Sequence, residues 1–161
     1  EPMKRTQDLK AQYQLQMDEE GILLAAARIL EGRLQRQGRI HSPEQAGSYL
    51  VARCAHLSHE VFGVVFLDNK HHILATEHLF SGTIDGCEVH PRVVAKRALE
   101  LNAVAVILFH NHPSGNPEPS QADRQVTKRL QEALGLLDIR VIDHLVIGGR
   151  QHVSLAARGW A

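Results

Sequence analysis

The chain has 161 residues, of which 43% are apolar and 22% are charged, and its 18 basic side chains balance its 18 acidic ones. This size and composition predict one compact domain with a substantial core and exclude a disordered tail. Balanced charge without a block of like charges gives no electrostatic footprint for unspecific binding to nucleic acid, although a local basic patch is compatible with it.

The first part of the chain predicts a helical extension. Residues 1–20 are polar, and we expect them to be frayed or to be ordered only by a partner. Residues 21–34 carry apolar side chains at helical spacing, and Gly38 interrupts that pattern. We therefore expect residues 1–41 to be a partly flexible helical extension of a domain formed by residues 42–161.

The next segment predicts a helix followed by a β-hairpin. A helix is expected over 42–55, because Ser42 is a candidate N-cap and Pro43 occupies the first helical position. The period then changes, and the runs 60–68 and 72–82 are rich in strand-forming residues on either side of a turn. These two runs predict antiparallel neighbours in a sheet.

The second half of the chain alternates helices with apolar strands. A helix over 90–102 is followed by the continuous apolar run 103–109, which is typical of a strand buried on both faces. Residues 110–119 contain three prolines and predict a loop. The remaining predicted elements are a helix from Ser120 to about Leu134 and strands at 139–149 and 151–155. This alternation predicts an α/β sandwich with a mixed sheet.

The cysteines and the apolar runs predict a location. Cys54 and Cys87 lack the number and spacing of a disulfide framework, so buried free thiols in a reducing cytoplasm are the expected state. The longest apolar run, 103–109, is far too short to span a bilayer, and the N-terminus lacks the apolar core of a signal peptide. We expect a soluble cytoplasmic protein with no membrane partner.

The predicted loop after the buried strand carries the candidate chemistry. His110 and His112 are two residues apart, so an extended backbone presents both imidazoles to one side, where they suit a divalent metal such as Zn²⁺. Asp123 is the candidate third ligand, because it lies in the first turn of the helix that starts at Ser120. Two histidines and one carboxylate leave a fourth position for water, which is the pattern of a catalytic zinc site.

Other interpretations of the same residues exist. An HxH pair alone is more often a pair of loop histidines than a pair of ligands. The spacing from Ser120 to Asp123 resembles a capping box, and a helix cap alone would account for both residues. The letters H-N-H at His110, Asn111 and His112 suggest a nuclease, but the HNH class places its three named residues on separate parts of a ββα-metal unit.

The complete pattern resembles a known family. From His110 to Asp123 the sequence has the H-x-H-P-x(6)-S-x-x-D spacing of the JAMM metalloprotease motif of the JAB1/MPN domain. Together with residues 79–92 and 143–148, it resembles the bacterial RadC family over roughly 42–161. The resemblance implies a three-layer sandwich of the cytidine deaminase-like kind. It also implies a zinc-dependent metallopeptidase that hydrolyses a peptide or isopeptide bond in a protein or peptide substrate.

The JAMM pattern also asks for an upstream glutamate. Glu60, which opens a predicted strand, corresponds best, and Glu88 is the rival. The resemblance implies that Glu60 acts as general base and then general acid, while Ser120 donates a hydrogen bond to the oxyanion. Residues 1–41 lack the helix-hairpin-helix region of full-length RadC proteins, so the chain resembles the short RadC-like proteins, which weakens any expectation of DNA binding.

Weaker expectations concern the remaining polar residues and the partners. Asn111 and Ser114 border the ligands and either shape the site or form turns. Asp143 and His144 either support the ligands or are structural, and two further histidines, His90 and His152, receive no role. The alternative function is a non-catalytic RadC-like module in DNA repair or mobile-element biology that acts through protein or DNA binding. A homo-oligomer is left open.

Overall fold

The computed structural model describes residues 18–37, 39–54, 56–82 and 87–161. These residues form four α-helices and five β-strands. The helices are α1 (Glu19–Gln37), α2 (Pro43–Cys54), α3 (Pro91–Glu100) and α4 (Gln121–Gly135). The strands are β1 (Val61–Leu67), β2 (Ile73–Ser81), β3 (Ala105–Asn111), β4 (Arg140–Gly148) and β5 (Gln151–Ser154). A 3₁₀ turn, Ala156–Arg158, follows β5. The predicted elements are therefore present in the predicted order.

The five strands form one mixed sheet in the order β2-β1-β3-β4-β5. β1 runs antiparallel to both β2 and β3, so the predicted hairpin is confirmed. β3 and β4 are parallel, and β5 returns antiparallel to β4. Because β3 is the middle strand, it is buried along its whole length, as its continuous apolar run predicts.

Alternation along the strands divides the core into two layers. Residues such as Val65, Ile107 and Phe109 face α1 and α2 and form one apolar cluster. Their neighbours, such as Val64 and Leu108, face α3 and α4 and form the other. The molecule is therefore a three-layer α/β sandwich, as predicted. Whether residues 1–41 form a separate extension stays a prediction.

Local signals in the sequence account for the helix starts. The Gln45 backbone N–H donates to the Ser42 hydroxyl over 3.2 Å, so Ser42 caps α2 as predicted. Helix α3 begins at Pro91, and Asn102, just after its end, adopts a positive φ of 53°. Helix α4 begins with a capping box formed by Ser120 and Asp123. The sequence-based boundary at residue 110 was wrong, because β3 continues through Asn111 before Pro113 interrupts the backbone pairing.

One glycine shapes the contact between β1 and β3. Gly63 pairs with Phe109, and a Cβ atom at Gly63 would collide with the Phe109 ring. The missing side chain therefore creates the space that the ring fills on the face towards α1 and α2.

Several other expectations can be compared with the fold. Cys54 is buried, as expected, but Cys87 is only half-buried. The expectations for residues 1–17 and Gly38 concern positions outside the described residues. None of the helices in the described ranges has the length and apolar character that crossing a membrane requires.

Candidate metal centre

A pocket of about 260 Å³ opens where the end of β3 meets the start of α4. All five residues that the sequence singled out as metal ligands or catalytic groups line it: Glu60, His110, His112, Ser120 and Asp123. The structure therefore brings together residues that are up to 63 positions apart in the chain. Cys87, His144 and apolar side chains, including Phe62 and Val126, form the rest of the wall.

The pairing of the strands explains how three of these side chains reach one face. Phe62 is the β1 partner of His110, and their rings stack with centroids 6.0 Å apart. Glu60 lies two residues before Phe62, and His112 lies two residues after His110, so alternation directs all four to the same side. The backbone N–H of His112 still donates to Ile147 O over 2.7 Å, which extends the pairing with β4 beyond the end of β3.

The two imidazoles and the Asp123 carboxylate converge closely. The Nε2 atoms of His110 and His112 are 3.0 Å apart. Asp123 Oδ1 lies 3.1 Å from His110 Nε2, and Asp123 Oδ2 lies 3.4 Å from His112 Nε2. Glu60 is slightly further away, with Oε1 4.0 Å from His110 Nε2. One ligand atom each from Glu60, His110 and His112 also lies within 4.8 Å of the others.

The Asp123 carboxylate caps its own helix and still faces the histidines. The Ser120 backbone N–H donates to Asp123 Oδ2 over 2.7 Å, and the Asp123 N–H donates to Ser120 Oγ over 3.1 Å. The capping-box interpretation is therefore correct, and it does not compete with a ligand role. Burial raises the pKa of Asp123, but its contacts with the His110 and His112 imidazoles outweigh burial and hold that pKa well below its usual range.

The same interaction acts on His112. The hydrogen bond with Asp123 raises the pKa of His112, against the opposing effect of burial. An anionic carboxylate that faces two imidazoles thus makes the pocket favourable for positive charge.

The outer nitrogens of the two histidines have different partners. His112 Nδ1 lies 2.9 Å from the backbone oxygen of Asn116. His110 Nδ1 lies 2.7 Å from His144 Nε2, and His144 Nδ1 in turn lies 2.6 Å from Thr127 Oγ1. His144 is fully buried, and burial followed by the charge of His110 lowers its pKa well below the usual value.

The donor set fits a divalent metal. A carbonyl oxygen can only accept a hydrogen bond, so His112 Nδ1 carries the proton and the lone pair of a neutral ring lies on Nε2. That lone pair points at a carboxylate and at a second imidazole. A metal cation placed between these acceptors would be bound by all of them, and two histidines with one carboxylate are the protein ligands of many catalytic zinc sites.

Asn111 fixes the backbone on both sides of Glu60. The Val61 N–H donates to Asn111 Oδ1 over 2.8 Å, and Asn111 Nδ2 donates to the His59 carbonyl over 2.9 Å. Asn111 is buried in β3 and forms no turn. Its side chain thus determines where Glu60 enters the pocket, which sequence reasoning missed because the partners are 50 and 52 residues away.

The rival glutamate lies elsewhere. The Glu88 side chain is 86% exposed and lies 3.9 Å from His90, whereas Glu60 is 18% exposed and lines the pocket. Cys87 also lines the pocket, with Sγ 3.2 Å from the Glu60 carbonyl. Burial and the nearby Glu60 charge raise the pKa of the Cys87 thiol to about 11, which keeps it protonated at neutral pH.

Three other residues that the sequence singled out have structural contacts. Asp143 accepts hydrogen bonds from the His144 N–H, Ser154 Oγ and the Ala156 N–H, so it ties β4 to the end of the chain. Ser114 accepts from the Asn116 N–H within the loop. The ring of His152 packs where a side chain at Gly47 would otherwise lie.

Thr127 is a further residue of the site that no sequence pattern singled out. It lies four residues after Asp123, and its hydroxyl donates to the Asp123 carbonyl over 2.7 Å. Thr127 lies one helical turn beyond Asp123, on the same face of α4. This spacing is the feature of the sequence from which its position near the site could have been predicted.

Comparison with known proteins identifies the family. A family model described as a RadC-like JAB domain matches residues 40–160. The chain belongs to the RadC family. A UPF0758 protein of Stutzerimonas stutzeri (strain A1501) is 54% identical over 141 residues, which cover 88% of this chain and 63% of that protein. A UPF0758 protein of Xanthomonas oryzae pv. oryzae (strain MAFF 311018) is 56% identical over 135 residues, which cover 84% and 60% respectively.

A UPF0758 protein of Azotobacter vinelandii (strain DJ / ATCC BAA-1303) is 52% identical over 141 residues and is matched over 63% of its length. The chain thus spans about three-fifths of the length of these relatives.

Proposed function

We propose that this RadC domain is a zinc-dependent metallopeptidase that hydrolyses a peptide or isopeptide bond. The supporting observation is the convergence of His110, His112 and Asp123 in one pocket that Glu60 also lines. The spacing of these residues resembles the JAMM motif. A protein or peptide substrate is part of the proposal, as is a location in the cytoplasm.

The ligands and the chemistry are assigned as follows. His110, His112 and Asp123 would hold the metal. Bound there, Zn²⁺ would supply Lewis acidity, which acidifies a water molecule and polarises a carbonyl group.

Glu60 is proposed as the proton carrier. Its carboxylate lies 4.0 Å from His110 Nε2 and therefore reaches the volume beside the ligands without belonging to the closest group. It would accept the proton of the attacking water and return it to the leaving amine. Because Asn111 binds the backbone on both sides of Glu60, little reorganisation is needed to keep the carboxylate in position.

Ser120 is proposed to stabilise the oxyanion. Its Oγ accepts the Asp123 N–H within the capping box, which leaves the hydroxyl hydrogen free to donate into the pocket. A donor aimed at the position where negative charge develops lowers the barrier more than it strengthens substrate binding.

Two matched glutamine variants test the proposal. The purified protein, Glu60→Gln and Glu88→Gln are each analysed for zinc and then incubated with a proteome-derived peptide library, in which cleavage is detected by mass spectrometry as new amino termini. We expect near-stoichiometric zinc in all three proteins, and cleavage by the parent and by Glu88→Gln but not by Glu60→Gln.

The other outcomes have distinct meanings. A parent that binds no zinc after reconstitution would exclude the metallopeptidase. Zinc binding without cleavage of any peptide would favour the alternative, a non-catalytic module that acts through a protein or DNA partner. Cleavage by Glu60→Gln at the parental rate would remove Glu60 from the mechanism.

A further inference from the structure

Three hydrogen bonds link the outer nitrogen of His110 to the backbone of Asp123, and one arrangement of protons satisfies all three. The network runs from His110 Nδ1 to His144 Nε2, from His144 Nδ1 to Thr127 Oγ1, and from Thr127 Oγ1 to the Asp123 carbonyl. All three separations are between 2.6 and 2.7 Å. The network therefore begins at one candidate ligand and ends on the backbone of another.

The direction of the hydrogen bonds follows from the carbonyl end. The Asp123 carbonyl can only accept, so the single hydrogen of the Thr127 hydroxyl points towards it. The hydroxyl has no second hydrogen, and it must accept from His144, whose Nδ1 therefore carries a proton.

His144 then determines the state of His110. The ring is fully buried, and its two nitrogens contact a hydroxyl and an imidazole, neither of which is an anion, so the neutral ring is favoured. A neutral ring with a proton on Nδ1 has its lone pair on Nε2, and that lone pair accepts a hydrogen bond from His110 Nδ1.

We infer that Thr127 and His144 are positioning residues that hold His110 in the tautomer with its proton on Nδ1, which leaves Nε2 free to bind a metal ion. The inference deepens the proposed function and rests on it for the role of the metal. The tautomer itself is a property of the protein without metal.

The pocket shows why the tautomer matters. His110 Nε2 faces His112 Nε2 at 3.0 Å and Asp123 Oδ1 at 3.1 Å. If Nε2 carried the proton of the neutral ring, His110 would be a donor towards Asp123 and could not bind a metal without first exchanging its tautomer. Mutation of a residue that binds the outer nitrogen of a metal-binding histidine typically lowers metal affinity by about 10–100-fold.

Thr127→Val and Thr127→Ser form a matched pair. Valine keeps the volume of threonine and removes the hydroxyl, whereas serine keeps the hydroxyl and removes the methyl group. In Thr127→Val, the tautomer of His144 that supports metal binding has a buried N–H without its acceptor. We expect Thr127→Val to bind zinc about 10–100-fold more weakly than the parent, and Thr127→Ser to bind it nearly as tightly as the parent.

Nitrogen NMR of the metal-free parent supplies a second readout that does not depend on any variant. At pH 8, the ¹⁵N shifts of His110 should show a proton on Nδ1, and this signature should be lost or mixed in Thr127→Val and restored in Thr127→Ser. Circular dichroism confirms that the compared proteins are folded.

The outcomes separate the inference from the proposed function. An unprotonated Nδ1 on His110 in the metal-free parent, or unchanged zinc affinity in folded Thr127→Val, would overturn the inference even if the enzyme is active. A parent that binds no zinc would overturn the proposed function, whereas the NMR result would still decide the tautomer.

Discussion

The two candidate histidine ligands are held in different ways. The His110 side chain is 2% exposed, and its outer nitrogen contacts His144 of β4, which in turn contacts Thr127 of α4. The His112 side chain is 20% exposed, and its outer nitrogen contacts the backbone carbonyl of Asn116 in the loop before α4. One ligand is therefore fixed by the packed core, and the other by a surface loop. Changes in the core should act through His110, and changes in the loop through His112.

Removal of each imidazole in turn should give the largest difference in stability between the two ligand variants. Both His110→Ala and His112→Ala should abolish stoichiometric zinc binding. His110→Ala should also cost the metal-free protein about 2–5 kcal/mol, because it leaves a cavity and an unpaired nitrogen on buried His144. His112→Ala should cost less than about 1 kcal/mol. Urea unfolding of the metal-free proteins checks this prediction, and equal losses would contradict the contrast.

Removal of the Asn111 side chain should displace Glu60 and leave the two histidine ligands in place. Asn111→Ala deletes two hydrogen bonds to the backbone around Glu60 and leaves the buried Val61 N–H unpaired, which should cost about 2–3 kcal/mol. Zinc binding should persist, because Asn111 contacts neither ligand side chain, while peptide cleavage should fall. Zinc analysis and the cleavage assay measure the two effects separately, and loss of zinc from the folded variant would show that Asn111 supports the ligands instead.

A steric clash with the loop before α4 should weaken metal binding by His112 and leave His110 in place. A Cβ atom at Gly148 would collide with the backbone of Asn116 and Pro117, so Gly148→Ala must displace the loop whose carbonyl binds His112. We expect zinc affinity to fall about tenfold while the ¹⁵N signature of His110 is unchanged. Gly135→Ala is the control, because its Cβ atom meets nothing within 4 Å. An equal loss of affinity in both variants would exclude the loop as the cause.

Deletion of a loop side chain should have the smallest effect. Ser114 is exposed and accepts one hydrogen bond of 3.3 Å from the Asn116 N–H, whereas His112 is bound by the Asn116 carbonyl. Ser114→Ala should therefore change stability by less than about 0.5 kcal/mol and leave zinc affinity unchanged. A marked loss of zinc, measured by titration with a competing chelator, would mean that the loop side chains also hold His112.

The parts of the site that lie close together in the chain could be predicted from the sequence. His110, His112, Ser120 and Asp123 lie within 14 residues, so their spacing on a strand end and a helix start is visible locally. The opening of α4 was equally predictable, because a capping box is a local pattern.

Contacts between distant segments were beyond local patterns. Asn111 binds backbone groups 50 and 52 residues away, and His144 reaches His110 from β4, 34 residues further along the chain. Neither contact follows from the sequence without the strand order, which depends on how β1, β3 and β4 pair. The end of β3 was misplaced for a related reason, because pairing with β1 and β4 keeps His110 and Asn111 extended despite the nearby prolines.

The gap at Gly63 has a consequence for strand alignment. Phe109 fits against β1 only opposite the residue without a side chain, and the next residue, His110, then faces the pocket. A slip of β3 by one position would bring the ring against Val64 or Phe62 and turn the imidazole to the opposite face of the sheet. Gly63 has no side chain that could bind a metal, yet it selects the register in which the ligands can meet.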